Sequence, residues 1–223
     1  MSNRNATRGI MPKKASINNK RKTMQGRVPL PPNPRASPQN LLGRDDAITL
    51  RVSGVFEVTN ATEGGTSHIF ALKPKSINTP SYTGLADVSP LVGNIASNYT
   101  KFMVSNLRIG VQGVSSALTG GFAMANYEPT DSSLAGPPSS VRDVTNSAHS
   151  ITVAPGMPMK YFTANPASYF QDWRSCVSEG DLEGAEQECG VVQVYGKNPD
   201  GEDSVTVLIS LEYDIHFAGF RSS

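Results

Sequence analysis

The chain contains 223 residues, with 20 Lys or Arg and 19 Asp or Glu, which gives a formal net charge of +1. A chain of this length can form one domain with a sizeable core. The sequence predicts no membrane span, because it has no run of about 18 apolar residues. The N-terminus lacks the apolar run of a secretory signal, so we expect synthesis and function in the cytosol.

The near-neutral total hides an uneven distribution of charge. The first 44 residues contain ten basic side chains and no acidic one, which leaves ten basic and 19 acidic side chains in the rest. The tail therefore carries +10 and the body −9. Such an asymmetry favours a cationic tail that binds a polyanion. The ten basic residues are Arg4, Arg8, Lys13, Lys14, Lys20, Arg21, Lys22, Arg27, Arg35 and Arg44.

The tail has the composition of a disordered segment. Residues 1–27 show no helical or strand periodicity and too few apolar side chains to offset the entropy of ordering. Five prolines in residues 29–38 favour an extended connector. If all ten charges bound a single strand of RNA or DNA, the log–log dependence on salt would have a slope of about −7. The alternative is a solubilising or nuclear-import tail, since Lys13-Lys14 and Lys20-Arg21-Lys22 resemble a bipartite import signal.

Apolar and polar residues alternate in the body, which predicts β-strands. The first strand spans 48–59, and the Gly54–Val55 step predicts a bend in it. In the segment 101–113 the apolar phase slips between Val104 and Leu107, which indicates a bulge. Shorter strands are predicted at 67–73, 120–127, 149–154, 158–163 and 190–195.

The final strand has the clearest pattern of the chain. Seven apolar residues, from Val205 to Phe217, occupy every second position. Short helices are expected over Val88–Tyr99 and Ser139–Ser147. Seven or eight strands with two short helices describe an antiparallel sandwich or barrel. We therefore expect a disordered arm over residues 1–44 and one all-β domain over residues 45–223.

Two segments carry a resemblance to a known family. They are Ser97-Asn-Tyr-Thr-Lys-Phe-Met-Val-Ser-Asn-Leu-Arg-Ile-Gly-Val and Thr119-Gly-Gly-Phe-Ala-Met-Ala-Asn-Tyr-Glu-Pro-Thr-Asp131. With the long last strand and the basic arm, they resemble the coat proteins of small icosahedral positive-strand RNA viruses, of the sobemovirus and tombusvirus shell type. In that family a tyrosine-led segment enters the fourth strand, and a Thr-Gly turn starts the fifth.

The resemblance implies both a fold and a function. The fold is an eight-stranded antiparallel jelly-roll β-sandwich, and the function is that of a capsid protein. Copies of the chain would self-assemble into an icosahedral shell and package genomic single-stranded RNA through the basic arm. The protein would be located in the virion, and in the host cytoplasm during assembly. No membrane partner is expected.

The resemblance also implies a cation site. Relatives bind calcium at subunit interfaces through carboxylates in the loop after the fifth strand, where this chain has Glu128 and Asp131. Asp87 and Asp143 are weaker candidates. Two carboxylates supply only part of a calcium shell, so a neighbouring subunit would have to complete it. The alternative is a turn at Pro129 in which Asp131 caps a loop.

The other reactive residue types form no recognisable set. Cys176 and Cys189 are expected to be free thiols, and the acidic run from Glu179 to Glu188 is expected to be an exposed loop. The three histidines, His68, His149 and His216, are isolated in sequence, and no nucleophile or phosphate-loop motif accompanies them. We therefore expect no enzyme. The alternative to a capsid protein is a cellular, oligomeric β-sandwich that binds nucleic acid or acts as a chaperone.

Overall fold

The computed structural model describes residues 47–59, 61–62, 65–77, 79–114, 120–147, 149–176, 187–198 and 205–221. The strands in these ranges are β1 (Ile48–Val58), β2 (Ala61–Thr62), β3 (Gly65–Ala71), β4 (Tyr82–Gly84), β5 (Tyr99–Gly113), β6 (Phe122–Glu128), β7 (Ser150–Val153), β8 (Lys160–Ala164), β9 (Arg174–Ser175), β10 (Val191–Lys197) and β11 (Val207–Phe220). The helices are α1 (Leu85–Val88), α2 (Pro90–Ala96), α3 (Ser132–Ala135), α4 (Val141–Thr145) and α5 (Pro166–Tyr169).

The strands form two sheets. Sheet A has the order β1-β11-β5-β8, with β9 paired to the start of β5. Sheet B has the order β2-β3-β10-β6-β7, with β4 parallel to β3. Without the short strands β2, β4 and β9, eight strands remain as two four-stranded antiparallel sheets. This is the jelly-roll sandwich, and the predicted fold class is confirmed.

The core lies between the two sheets. Strand β11 and the residues before it supply one side chain at every second position, as the alternation predicts. All seven of these residues have an exposed fraction of 1% or less. They are Val205, Val207, Ile209, Leu211, Tyr213, Ile215 and Phe217. Phe70, Val192 and Val194 of sheet B belong to the same apolar cluster.

Two local predictions about the backbone have opposite outcomes. The bulge in β5 is confirmed, because Arg108 pairs with Glu212 but Ser105 pairs with Asp214. Two residues of β5 therefore oppose one residue of β11, and Asn106 takes a left-handed φ of 52°. The bend predicted at Gly54–Val55 is wrong, since β1 pairs with β11 without a register shift from Ile48 to Val58. A Cβ atom at position 54 would lie 3.0 Å from the Phe56 ring. Glycine at this position therefore leaves space for that ring.

Sheet B is buried on both faces, unlike sheet A. Ile69, Ala71 and Val191 point away from the central core and pack against Tyr82 and the helix α3 residue Ala135. Nearer the other edge, residues of β6 and β10 pack against helix α4. This second cluster comprises Met124, Val144 and Tyr195, with Phe122 packed against it. The connecting segments thus serve as a third layer on sheet B.

The helices are shorter than the sequence predicts. Of the helix predicted over Val88–Tyr99, only Pro90–Ala96 forms α2; Val88 ends the preceding helix α1, Ser89 separates the two, and Tyr99 begins β5. A residue that precedes proline avoids the helical region, and Ser89 is extended with a φ of −145° before Pro90. The helix predicted over Ser139–Ser147 is the single turn α4, which begins after Ser140. Within the described part of the chain, no helix is long and apolar enough to cross a membrane.

His68 lies on the inner face of β3. The side chain is 6% exposed, and its ring is 4.9 Å from that of Phe70. The Nε2 atom is 2.8 Å from the Thr83 hydroxyl. Burial lowers the pKa of His68 to about 4, and the hydrogen bond with the Pro80 backbone opposes this shift only in part. The folded protein therefore holds this imidazole neutral.

We predict that His68 makes the fold sensitive to acid. In the unfolded chain a histidine takes up its proton near pH 6.5, whereas the folded chain resists protonation down to about pH 4. This contribution to stability is complete above pH 6.5 and is lost as the pH falls from 6.5 to 4. With about 1.4 kcal/mol for each pKa unit, the loss amounts to about 3 kcal/mol.

The measurement is urea unfolding at pH 7 and pH 4. His68→Gln keeps a polar group beside Thr83 and should show a smaller loss of stability on acidification than the wild type. His149→Gln, which leaves His68 in place, is the control and should behave as the wild type. An identical acid dependence in all three proteins would assign the acid sensitivity to other groups.

Candidate cation site and nucleic-acid interface

The ten basic residues proposed to bind RNA lie outside the described residues, and the structure does not test their role. They are Arg4, Arg8, Lys13, Lys14, Lys20, Arg21, Lys22, Arg27, Arg35 and Arg44. The described chain starts at Ala47, and β1 follows as an edge strand of sheet A. Ile48 pairs with Phe217 near the end of β11. The described chain therefore begins at the end of the sandwich where β11 finishes.

The structure places Glu128 and Asp131 on either side of a short turn. Glu128 is the last residue of β6, and its Oε1 accepts a hydrogen bond of 3.1 Å from the Asn126 amide. Asp131 is the N-cap of helix α3. Its Oδ1 accepts hydrogen bonds from the backbone N–H groups of Ser133 and Leu134, at 2.9 and 3.1 Å, and from the Ser133 hydroxyl.

Asp131 therefore has a structural partner for one of its two oxygens. Burial of the carboxyl group raises its pKa, but the hydrogen bonds from Ser133 and Leu134 outweigh this and hold the pKa below its ordinary value. No group of three or more His, Cys, Asp or Glu side chains comes together among the described residues. The described part of the chain therefore does not form a complete calcium site by itself. The observed contacts of Asp131 are those of a helix cap, which was the alternative interpretation.

The two weaker candidates are also capping residues. Asp87 accepts hydrogen bonds from the backbone N–H groups of Ile77 and Gly84, at 2.8 and 2.9 Å, at the start of helix α1. Asp143 accepts bonds of 2.9 Å from the backbone N–H groups of Ser139 and Ser140 before α4. Carboxylates at these positions satisfy N–H groups that have no partner within the helix. Asp87 and Asp143 therefore have capping roles at the starts of α1 and α4.

Glu188 is a buried carboxylate that the sequence analysis assigned to an exposed loop, and that assignment is wrong. Its side chain is 2% exposed, and its Oε1 lies 2.7 Å from Nζ of Lys73. Ser132 donates to the same carboxylate from its backbone N–H at 2.7 Å and from its hydroxyl at 2.8 Å. The carboxylate thus joins three connections: the one after β3, the one after β6 and the one before β10. The rest of the acidic run, from Glu179 to Glu186, lies outside the described residues.

The outer face of sheet A carries a row of paired polar side chains. Arg108 donates to both carboxylate oxygens of Glu212 at 3.0 Å, and its guanidinium lies 3.8 Å from the centre of the Tyr161 ring. At the bulge, the Asn106 amide donates to Asp214 at 2.7 Å. The left-handed backbone of Asn106 places its side chain on this face.

His216 connects three strands on the same face. Its Nδ1 is 2.8 Å from the Thr49 hydroxyl on β1, and its Nε2 is 2.8 Å from the Ser105 hydroxyl on β5. Burial lowers the pKa of His216, and the nearby Asp214 carboxylate opposes that effect. Both ring nitrogens of His216 are thus hydrogen-bonded to hydroxyl groups of neighbouring strands. The three side chains join β1, β11 and β5 and have a structural role.

Cys176 and Cys189 are free thiols, as expected, and both are buried. Burial raises the pKa of each thiol to about 12. Thiolates are the reactive form of cysteine, so burial disfavours the reactive form of both residues. Their backbone N–H groups donate to Thr100 and Leu72, which attaches the segments around them to the ends of β5 and β3.

Comparison with solved structures identifies the class of fold. A chain from the structure of Cocksfoot mottle virus matches 97% of this chain and 98% of its own, with 16% identity and a TM-score of 0.57. A chain from Tobacco necrosis virus matches 80% of this chain and 85% of its own, with 14% identity and a TM-score of 0.55. A chain from Mud crab tombus-like virus matches 84% of this chain and 100% of its own, with 11% identity and a TM-score of 0.53.

These structural neighbours are capsid proteins of sobemo-, tombus- and related small icosahedral RNA viruses. The resemblance seen in the sequence is thus confirmed at the level of the fold, which is that of a jelly-roll capsid shell domain. At identities of 11–16%, this likeness shows the fold alone. No protein-family model matches the sequence, and the comparison with curated proteins finds no relative.

We predict that Glu188→Gln destabilises the fold. The substitution keeps the shape of the side chain but removes the charge that Lys73 and Ser132 contact. Losing a buried, charge-assisted interaction of this kind costs about 1–3 kcal/mol in the free energy of unfolding. Urea unfolding of the unassembled protein measures the loss. Glu57→Gln, which changes an exposed carboxylate on β1, is the matched control and should leave the midpoint unchanged. Equal midpoints for wild type and Glu188→Gln would contradict the role of this network.

Proposed function

We propose that the chain is the capsid protein of a small icosahedral positive-strand RNA virus. Copies assemble into a closed shell, and the basic arm of residues 1–44 binds the packaged single-stranded genome. The protein acts in the virion, after assembly in the host cytoplasm. Its partners are other copies of itself and the RNA.

One observation carries this proposal more than any other. The jelly-roll fold matches capsid chains over 97% of this chain and 98% of the matched chain in Cocksfoot mottle virus. A match of that extent covers the whole domain and not a shared supersecondary motif. Closed shells form when one subunit repeats the same interfaces with its copies, and a compact sandwich of this kind supplies fixed surfaces for them.

The charge distribution supports the division of labour between arm and body. The arm carries +10 and the body −9. Negative charge on the body does not attract RNA phosphates, so the electrostatic attraction is concentrated in the arm. The arm has no aromatic side chain to stack on bases, so its binding is expected to be independent of sequence.

The experiment that tests the proposal is expression of the full chain, followed by electron microscopy and absorbance at 260 and 280 nm. Uniform spherical particles that protect RNA from nuclease are the expected result. Small oligomers that bind nucleic acid without enclosing it, at several salt and calcium concentrations, would favour the cellular binding protein instead.

Interfacial calcium forms a second part of the proposal. Of the two carboxylates, that of Glu128 has fewer hydrogen bonds: its Oε1 accepts one from Asn126, whereas Oδ1 of Asp131 accepts three from Ser133 and Leu134. A calcium ion prefers six to eight oxygen ligands, so a neighbouring copy would have to provide most of them. In this arrangement Glu128 acts as a ligand and Asp131 acts mainly through the structure of its loop.

We predict that removal of residues 1–27 spares folding and reduces RNA packaging. The deletion removes eight of the ten basic residues of the arm. The log–log salt slope for binding of a short single-stranded RNA to unassembled protein should change from about −7 to about −1. A full-length variant with residues 1–27 in shuffled order is the matched control, and it should package RNA as the wild type does. Unchanged RNA content in the truncated particles would refute the role of the arm.

We predict different behaviour for two substitutions at the calcium candidate. Glu128→Gln should abolish the effect of calcium and of chelator on particle melting, because it removes a ligand charge. Asp131→Ala should lower the melting temperature whether or not calcium is present, since loss of an N-cap costs about 0.5–2 kcal/mol. Thermal melting of the particles with calcium and with chelator measures both effects. An equal chelator effect in wild type and Glu128→Gln would remove the metal hypothesis.

A further inference from the structure

Strand β1 has a free edge, which is the side of the strand that faces away from β11. It is the first strand of sheet A and pairs with β11 alone. No backbone hydrogen bond joins β1 to any other described residue. A strand directs alternate backbone groups to its two sides, so the N–H and C=O groups on the free edge have no partner in the described chain. Such a row of unpaired groups is a template for another strand.

The free edge of β1 lacks the usual protection of an edge strand. Natural edge strands are kept short, carry a bulge, or are blocked by Pro or Lys. Strand β1 is 11 residues long, contains neither Pro nor Lys, and pairs with β11 without a register shift. The other strands that end a sheet are shorter, since β8 has five residues, β7 has four and β2 has two. Only β1 therefore presents a long and regular edge in the described part of the chain.

The outward side chains of β1 carry one positive and one negative charge. The residues that face away from the core are all exposed, and they are Thr49, Arg51, Ser53, Val55 and Glu57. Val55 is 63% exposed, although it is apolar. Arg51 and Glu57 form no ion pair with any described residue. Asp214, which lies opposite Arg51 on β11, accepts a hydrogen bond from Asn106. The outer face of β1 thus offers an unpaired cation, an unpaired anion and an exposed apolar side chain.

These charges are self-complementary in one antiparallel register. If two copies of β1 pair about a two-fold axis at Gly54, Arg51 of each copy lies opposite Glu57 of the other, because both residues are three positions from the glycine. In the same register Ser53 lies opposite Val55, and the two Val55 side chains are diagonal neighbours across the axis. Every outward residue then meets another outward residue, so the alternation of faces continues from one copy to the other.

Other registers lose this complementarity. With the axis at Arg51 or at Glu57, two like charges meet at the centre, which is unfavourable. With the axis at Ser53 the whole strand pairs, but Arg51 then faces Val55. Glu57 faces Thr49 in that register, so neither charge has a partner. The sequence of β1 therefore favours the register that is centred on the glycine.

We propose that β1 is an interface between copies of this chain, in which two β1 strands pair antiparallel about a two-fold axis at Gly54. The main strands of the two sheets A then form one continuous antiparallel sheet, with β1 next to β1 at its centre and β8 at each end. The interface is isologous, so it closes on itself as a dimer. This inference rests on the proposed function, because it assigns one of the contacts by which copies would build the shell.

A second copy fits the free edge better than the basic arm does. The arm contains no acidic residue, so a strand formed by it would offer no partner for Arg51. The five prolines of residues 29–38 have no backbone N–H group to donate to a strand. A second β1 supplies both charges and a complete row of backbone groups.

Exchange of the charges at Arg51 and Glu57 tests the interface in the full chain. Arg51→Glu and Glu57→Arg each place like charges opposite one another at both pairs of the dimer, so each variant alone should dimerise about tenfold more weakly than the wild type. An equimolar mixture of the two variants restores opposite charges at both pairs, and so does the double variant. Both should dimerise as the wild type does. Sedimentation velocity of the RNA-free, unassembled protein over a series of concentrations measures the dissociation constant.

Cross-linking determines the register. In the proposed register Ser53 of one copy and Val55 of the other are directly opposed, close enough for a disulfide between cysteines at these positions. Mild oxidation of a mixture of Ser53→Cys and Val55→Cys, both full length, should produce a cross-linked dimer in solution and in particles. The matched control mixes Ser53→Cys with Thr59→Cys, since position 59 lies opposite Thr49 and should not be cross-linked. The two native cysteines are buried and give the same background in every sample.

Three outcomes would overturn the inference. They are a wild-type protein that stays monomeric at every concentration, equal cross-linking in the control mixture, and a double variant that dimerises as weakly as the single variants. The last outcome would assign the free edge to another partner, such as the arm. Each is separate from a failure of the proposed function. RNA-filled particles without cross-linking at β1 would leave the capsid role intact, and β1 dimers without particles would support the interface but not the capsid role.

Discussion

The pairing of β11 with β1 on one side and β5 on the other is the constraint on which the rest of the molecule depends. Strand β11 sends alternate residues into the core, so a slip of one position would bury Glu212 and Asp214 and expose Leu211 and Tyr213. That cost fixes the register of all three strands. With the register fixed, the extra residue of β5 has to bulge, and the bond between Asn106 and Asp214 forms at that bulge.

Sheet B is stabilised differently, because both of its faces are buried. Its outer face is covered by single-turn helices, which cannot be stable by themselves. They are held by capping carboxylates and by Glu188, whose contacts with Lys73 and Ser132 fasten three connections at one end of the sandwich. The carboxylates of this end therefore act first as structural groups, and any cation would compete with hydrogen bonds that already exist.

The sequence analysis predicted those features whose signal lies within a short stretch of the chain, and it missed those that depend on residues far apart in sequence. Alternation revealed β1 and β11, and the slip between Val104 and Leu107 located the bulge, since each signal lies within one strand. Glu188 was missed because its partner Lys73 is 115 residues away and only the fold brings them together. Asp131 was both a cap and a metal candidate, because an aspartate before a short helix serves either purpose. The bond between Asn106 and Asp214 was also missed, since the two residues come from different strands, 108 positions apart.

In the proposed capsid role, the recognition of RNA would have two physical terms, affinity and base preference. In the proposed role, the ten positive charges of residues 1–44 would supply affinity that depends on salt and not on sequence. Only groups held at fixed positions can distinguish one base from another, because hydrogen-bond geometry must be set before the base arrives. In this chain such groups occur on sheet A, where the backbone is fixed by the β11 register. If base preference exists, it must therefore depend on the same strand pairing that defines the core.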